Sequence, residues 1–235
     1  MPVNGNKVML FGDSILKGVV LGEQDGKYAV RNRLELEGLS EEYGITISNQ
    51  SKFGCTVSKA YRLIEQLLGT KTKPCDYMVL EYGGNDCNFD WKEIAATPDS
   101  EHLPATPPES FFITYAALLS LLKSKGIQPI LANLPPISSE KFLSWVCRGG
   151  LCRDSILQWL GDRDAIYRFH ERYSRMVERL AAENGCPLLD LRGVFLEKRS
   201  IEDYICCDGM HPDEKGQKLI REGFARFLQT GAAPV

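Results

Sequence analysis

The sequence predicts an α/β fold: a three-layer α/β/α sandwich of flavodoxin-like topology built on a five-stranded parallel sheet. Three observations predict it. Mostly apolar runs at residues 7–11, 76–81 and 127–133 do not alternate with polar residues, as expected of strands covered on both faces. Between the runs lie segments whose apolar residues recur at helical spacing. Strand and helix alternate five times along the chain, and right-handed crossovers turn that order into an open, doubly wound sheet.

The elements follow in order. The first strand, residues 7–11, ends at Gly12-Asp13-Ser14. After a glycine-containing loop, residues 28–42 read as a helix and 45–49 as the second strand. Residues 58–68 are helical, with Ala60, Leu63, Ile64, Leu67 and Leu68 forming the apolar stripe. Lys73-Pro74-Cys75 leads into the third strand, 76–81, which stops at Gly83-Gly84. Residues 86–109 hold Pro98, Pro104, Pro107 and Pro108, so this stretch is expected to be irregular, and long excursions in compact folds are often functional. A helix over 108–125 is capped by Gly126, and the fourth strand, 127–133, ends at Pro135-Pro136. Phe142, Trp145 and Val146 suggest a short helix before Gly149-Gly150. A long helix runs from Asp162 to about Asn184, followed by a fifth strand at 188–191 and a last helix within 212–229; residues 231–235 are expected to fray.

At 235 residues, 43% hydrophobic and 25% charged, the chain is expected to form a single domain, 1–235, without internal repeat or linker. A net charge of −3 and scattered basic residues leave no footprint for nucleic acid. Arg172, Arg175 and Arg179, interleaved with Glu171 and Glu178, read as a solvated helix face. No apolar run approaches the roughly 18 residues of a membrane span, so no membrane partner is expected. The start at Met1 lacks the basic region and apolar core of a secretory leader, so a cytoplasmic protein is expected, with a secreted mature form whose leader has been removed as the alternative. The eight cysteines form no CxxC pair, and free thiols are expected, with Cys147 and Cys152 the pair to test for a bridge. Oligomeric state is not legible.

In an open parallel sheet the reactive groups gather beyond the carboxyl ends of the strands. This sequence places Asp13-Ser14, Gly54, Gly83-Gly84-Asn85-Asp86 and Asp208-Gly209-Met210-His211-Pro212 there. An aspartate three residues before a histidine can present its carboxylate to one ring nitrogen and leave the other free to take a serine proton. Taken singly, Ser14 and Asp208 also suit helix caps, and Gly54 and Asn85 suit turns. His102 reads as a loop residue and His170 as a helix-surface residue. Asp13 and Asp86 without a histidine make no case for a metal, and neither a phosphate-binding nor a dinucleotide fingerprint follows the first strand, so no cofactor is expected.

The blocks Gly12-Asp13-Ser14-Ile15, Gly54, Gly83-Gly84-Asn85-Asp86 and Asp208-Gly209-Met210-His211-Pro212 resemble, in order, those of the SGNH hydrolase superfamily, the GDSL-like lipase/acylhydrolase family. Together they span the chain from first strand to last helix. Ile15 stands where the family motif has leucine, and Cys55 directly follows Gly54. The resemblance implies Ser14 as nucleophile, His211 as general acid–base and Asp208 as its partner. It also implies an oxyanion hole made by the Ser14 amide, Gly54 and Asn85. The expected function is a serine esterase acting through an acyl-enzyme on a small-acyl ester, with a carbohydrate O-acetyl ester favoured over a lipase, a thioesterase or a non-catalytic binding module. The excursions at 86–110 and 137–155 should wall the cleft. Asp13, Phe89, Trp91 and Trp145 are the residues expected to contact a small-molecule or carbohydrate ester.

Overall fold

A computed structural model describes residues 5–22, 25–30, 36–70 and 73–230. The strands are β1 (Lys7–Gly12), β2 (Val19–Leu21), β3 (Tyr28–Val30), β4 (Thr46–Asn49), β5 (Tyr77–Glu81), β6 (Gln128–Ala132) and β7 (Leu188–Leu189). The helices are α1 (Leu36–Tyr43), α2 (Val57–Thr70), α3 (Trp91–Ala96), α4 (Pro108–Ser124), α5 (Ser139–Cys147), α6 (Arg153–Leu160), α7 (Ala165–Glu183), α8 (Leu191–Leu196) and α9 (Glu214–Thr230).

The main sheet has the order β4-β1-β5-β6-β7 and every pairing is parallel, the flavodoxin-like arrangement the sequence predicts. One face is covered by α2, α4 and α7 through Ala60, Ile64, Tyr115, Leu118 and Leu180; the other by α1, α8 and α9 through Leu39, Val194, Ile220 and Phe224. β5 shows why its run does not alternate: Met78 and Leu80 enter the first layer and Val79 the second. The polar face of α7 is solvated only in part. The pair Arg179–Glu183 (2.6 Å) is exposed and contributes little to stability. Glu178, by contrast, pairs with Arg175 (2.7 Å) and also accepts from the buried Asn133 at 3.2 Å, and Glu171 pairs with the buried Arg192.

A third apolar cluster lies outside these layers. Ile94 of α3, Phe142 and Leu143 of α5, Ile156 and Leu160 of α6 and Ile166 of α7 pack together, joining the two excursions that leave β5 and β6.

Several sequence expectations are corrected. The helix expected over 28–42 is a helix only at α1. Tyr28–Val30 instead pairs antiparallel with β2, with Leu21 opposite Tyr28, because a β-branched and aromatic triplet beside a buried strand gains more from pairing than from a helical turn. Residues 31–35 of that expected helix, the N-terminal Met1 to Asn4 and the tail 231–235 lie outside the described residues. The excursion after β5 is not wholly irregular: Asp90 caps α3 by accepting the Lys92 and Glu93 N–H groups at 3.0 and 3.1 Å. The fifth strand is only two residues long, because Asp190 accepts the Gly193 N–H at 2.8 Å and starts α8. All eight cysteines are free, Cys147 and Cys152 included. Among the described residues no helix is long and apolar enough to cross a membrane.

Candidate active site

The turn after β1 is fixed by its own side chain: Asp13 Oδ1 accepts the Ile15 N–H at 2.8 Å, and the Ser14 carbonyl accepts the Val19 N–H at 3.0 Å. Ser14 is thereby presented beyond the strand's carboxyl end. The turn before α9 is tied in the same local way. The Cys206 N–H reaches the His211 carbonyl at 2.8 Å, and Asp208 Oδ1 accepts the N–H groups of Met210 and His211, both at 3.0 Å. Asp208 Oδ2 then lies 2.6 Å from His211 Nδ1, and His211 Nε2 lies 2.9 Å from Ser14 Oγ across 197 residues of sequence. A carboxylate only accepts, so Nδ1 carries the ring proton and Nε2 offers its lone pair to the serine hydroxyl. Burial opposes the charge on Asp208, but the hydrogen bonds from His211 and two backbone N–H groups outweigh it and hold the carboxyl below its ordinary value.

Gly209 makes this turn possible. Its φ is +76°, and a Cβ there would lie 2.3 Å from the Phe142 nitrogen and 2.6 Å from the Ser138 carbonyl oxygen. The Gly209 carbonyl accepts the Ser138 N–H at 2.8 Å, so the turn is fastened to the start of α5. Lys141 of α5 adds two bonds to carbonyls on the approach to the turn, Glu202 at 2.6 Å and Ile205 at 2.8 Å.

On the far side of Ser14, Asn85 Nδ2 donates to Asp13 Oδ2 at 2.7 Å. Asp13 and Glu81 are 2% and 1% exposed, and Glu81 Oε2 also accepts the Asp13 N–H at 3.4 Å. Burial raises both carboxyls, and the neighbouring Asp13 adds to the rise of Glu81, well above its ordinary value. Asp86 faces elsewhere. It accepts the Val57 N–H at 3.1 and 3.2 Å at the start of α2, and burial pushes its carboxyl up to about 6.

A cavity of about 180 Å³ opens onto Ser14, Asn85 and His211. Phe89 and Trp91 line it, as the sequence predicts. Asp13 borders it, but both of its oxygens are engaged by protein N–H groups, so its contact is with Asn85 rather than with a substrate. Gly54 does not border the cavity, although its φ of +65° explains the glycine; its neighbour Phe53 does. Cys55 points into the core rather than narrowing the cavity. Trp145 is corrected: it lines a neighbouring groove, packs on Val20, Leu21 and Cys206, and its ring face is covered by the Arg148 guanidinium at 3.3 Å. His170 is corrected too, being buried rather than on the helix surface, while His102 does lie in its loop with Nε2 2.9 Å from the Thr97 carbonyl oxygen.

Sequence reasoning missed Tyr28, Phe53 and Phe169 as lining residues, whereas Phe142 lines the cavity as expected of an aromatic on the second excursion. The Phe53 ring stacks on His211 at 6.1 Å and 7°, and the Tyr28 ring lies 5.0 Å from it. The Tyr28 hydroxyl donates to Asp208; burial and that carboxylate both raise the phenol. A three-residue strand carries too little periodicity to have revealed Tyr28. Among the described residues no group of three His, Cys, Asp or Glu side chains could hold a metal ion.

The arrangement can move a proton from a hydroxyl to an imidazole beside an amide donor. Residues 10–219 match the model of the GDSL-like Lipase/Acylhydrolase family. No curated protein matches the chain. Among solved structures, an alpha/beta hydrolase enzyme from the metagenome of Lake Arreo, Spain, aligns with a TM-score of 0.66 at 20% identity, over 97% of each chain. An acetylxylan esterase from Geobacillus stearothermophilus aligns at 0.67 and 19% identity, over 97% of this chain and 95% of that one. A lipase/acylhydrolase from Enterococcus faecalis aligns at 0.63 and 18% identity, over 98% of both. At these identities the structures establish the shared fold.

Proposed function

The chain belongs to the GDSL-like lipase/acylhydrolase family, and from that premise we propose that it hydrolyses a small-acyl carboxylic ester through a covalent intermediate on Ser14. The observation that carries this reading is the unbroken line of hydrogen bonds from Asp208 through His211 to Ser14 Oγ. His211 Nε2 takes the hydroxyl proton as Ser14 Oγ attacks the ester carbonyl carbon. The tetrahedral intermediate collapses, the bond to the alcohol oxygen breaks, and His211 returns the proton to the leaving alcohol. Water then enters and gives a proton to His211 as its oxygen attacks the acyl carbon. The bond to Ser14 Oγ breaks, His211 returns the proton to Ser14 Oγ, and the acid leaves. Asp208 holds the ring tautomer and balances the imidazolium that forms twice per turnover.

The developing oxyanion needs donors fixed in advance. We assign them to the Ser14 backbone N–H and the second hydrogen of Asn85 Nδ2, both on the cavity; the Gly54 N–H, set outside its lining, is proposed as a third on the family resemblance alone. The bond to Asp13 leaves one Asn85 hydrogen free and fixes the plane of the amide. The modest cavity supports a short acyl or alcohol group rather than a long chain. A carbohydrate O-acetyl ester is the favoured substrate, in keeping with the acetylxylan esterase of the same fold, whose catalytic mutants replace a serine, an aspartate or a histidine by alanine.

The test is hydrolysis of p-nitrophenyl acetate, butyrate and octanoate by the wild type and Ser14→Ala. Turnover should favour the acetate and vanish in the variant. Equal rates in both proteins would eliminate Ser14 as nucleophile.

A further inference from the structure

The cavity wall contributed by residues 134–170 is apolar, built from Leu134, Ile137, Phe142, Ile166 and Phe169, with one exception. That exception is His170, which lines the cavity and is 6% exposed. Its Nδ1 lies 3.2 Å from Nη2 of the buried Arg192. The rest of that guanidinium is occupied: Nη1 donates to the Tyr167 hydroxyl at 2.7 Å and pairs with Glu171 at 2.7 Å, and Nε donates to Ser174 Oγ at 3.3 Å. A guanidinium has only donors, so His170 Nδ1 must accept and the ring proton sits on Nε2. Protonating the ring would set two donors against each other, and burial together with Arg192 holds the imidazole neutral, down to about 3. Among the described residues Nε2 has no hydrogen-bond partner. Nε2 is not one of the sealed, unpartnered atoms of the interior, so it is reached from the cavity. Water meets it there in the free site, and a bound group that displaces the water must supply the acceptor.

We propose that the His170 Nε2–H donates to the substrate, so that the site selects esters whose cavity-filling group carries a hydroxyl or ether oxygen over hydrocarbon isosteres of the same size. This rests on the Ser14 esterase reading and narrows it to oxygenated esters. A site built to bond an acceptor discriminates against the analogue lacking it, because the protein's donor is then left unmet.

The experiment compares isosteric pairs on both sides of the ester bond. On the acyl side these are p-nitrophenyl methoxyacetate and butyrate; on the alcohol side, tetrahydropyranylmethyl and cyclohexylmethyl acetate. The kcat/KM ratio within each pair is measured for the wild type, His170→Phe and His170→Gln, with Ser14→Ala alongside. For the pair whose varied group fills the cavity, His170→Phe should reduce the ratio by about tenfold or more. His170→Gln, whose amide can reach the Nε2 position, should restore part of it. Ratios unchanged by His170→Phe in both pairs, with turnover still dependent on Ser14, would overturn this proposal alone. Turnover independent of Ser14 would overturn the esterase reading and this one with it. Should His170→Phe not fold, 15N NMR of the wild-type imidazole decides: the Nε2–H tautomer at neutral pH is expected, and an Nδ1–H tautomer or an imidazolium overturns the proposal.

Discussion

Replacing Asp13 by alanine removes the acceptor that holds Asn85 and leaves the amide itself in place. The lost bond is 2.7 Å long, is buried and has a carboxylate partner. Hydrogen bonds to charged groups are each worth about 1.5–3 kcal/mol. Only the part that orients the amide can appear in the rate, and its ceiling is the loss of the Asn85 donor altogether, about 10²–10³ in kcat. We therefore expect Asp13→Ala to lower kcat by about 10–10²-fold, equivalent to roughly 1.4–2.7 kcal/mol, with KM little changed. In the Asn85→Ala background there is no amide left to orient, so Asp13→Ala should cost almost nothing further, and the coupling should equal the single-variant effect. Asp13→Asn can keep an acceptor for the Ile15 N–H but turns an NH₂ toward the amide of Asn85, so it should lose as much kcat and less stability than alanine. Steady-state hydrolysis of p-nitrophenyl acetate, with urea unfolding of each variant, supplies both quantities. Additive losses in the double variant, or full kcat in Asp13→Asn, would refute the argument.

Asp208→Asn should lower kcat by about 10⁴-fold with little change in KM, as in other Ser–His–Asp sites where the wrong ring tautomer results; a loss under tenfold would dismiss Asp208 as the orienting group. His170 is held neutral down to about 3 in the fold, against about 6.5 in the unfolded chain, so the unfolded chain binds the extra proton and this contribution to stability is lost as pH falls below 6.5. Urea unfolding should show the wild type losing about 2 kcal/mol more than His170→Gln between pH 7 and 5; parallel curves would contradict the buried neutral ring. Gly209→Ala should abolish activity and reduce stability by several kcal/mol, roughly the scale of a buried backbone clash, and an active, stable variant would discredit that turn. Timed alkylation and mass spectrometry should find the exposed Cys152 and Cys207 modified first, with eight thiols after denaturation and no reductant.

The legible parts of the fold were those whose signal is local and long enough. Residues 77–81 declare a doubly covered strand because both neighbouring layers draw apolar side chains from the same run. Asp208 and His211 meet within one turn, so their spacing alone suggested the contact; their meeting with Ser14, far off in sequence, was suggested by the shared carboxyl edge of the sheet and by the family resemblance. The rest depended on partners that no local pattern reveals. Tyr28 sits on a strand of three residues, and α3 and α8 are six-residue helices, too short for a period to register. The α7 pattern did carry a sign that His170 is buried, since it shares one helix face with Ile166, Tyr173, Val177 and Leu180, but its partner Arg192 arrives from beyond β7 and was not legible. Trp145 was misjudged for want of one local check: Arg148 stands three residues on, within reach of its ring.

The fastening of the Asp208–His211 turn to α5 bears on how the pocket could be redesigned. Phe142, a wall of the cavity, supplies the backbone nitrogen against which Gly209 is pressed, and Ser138, which bonds the Gly209 carbonyl, caps the same helix. Wall and base therefore move as one mechanical part. A library that reshapes the cavity by shifting α5 would displace the imidazole along with it, trading turnover for selectivity. Phe89 and Trp91 line the same space from the excursion after β5, without a bond to that turn. They are the positions at which substrate preference can be altered while the proton-transfer geometry stays put.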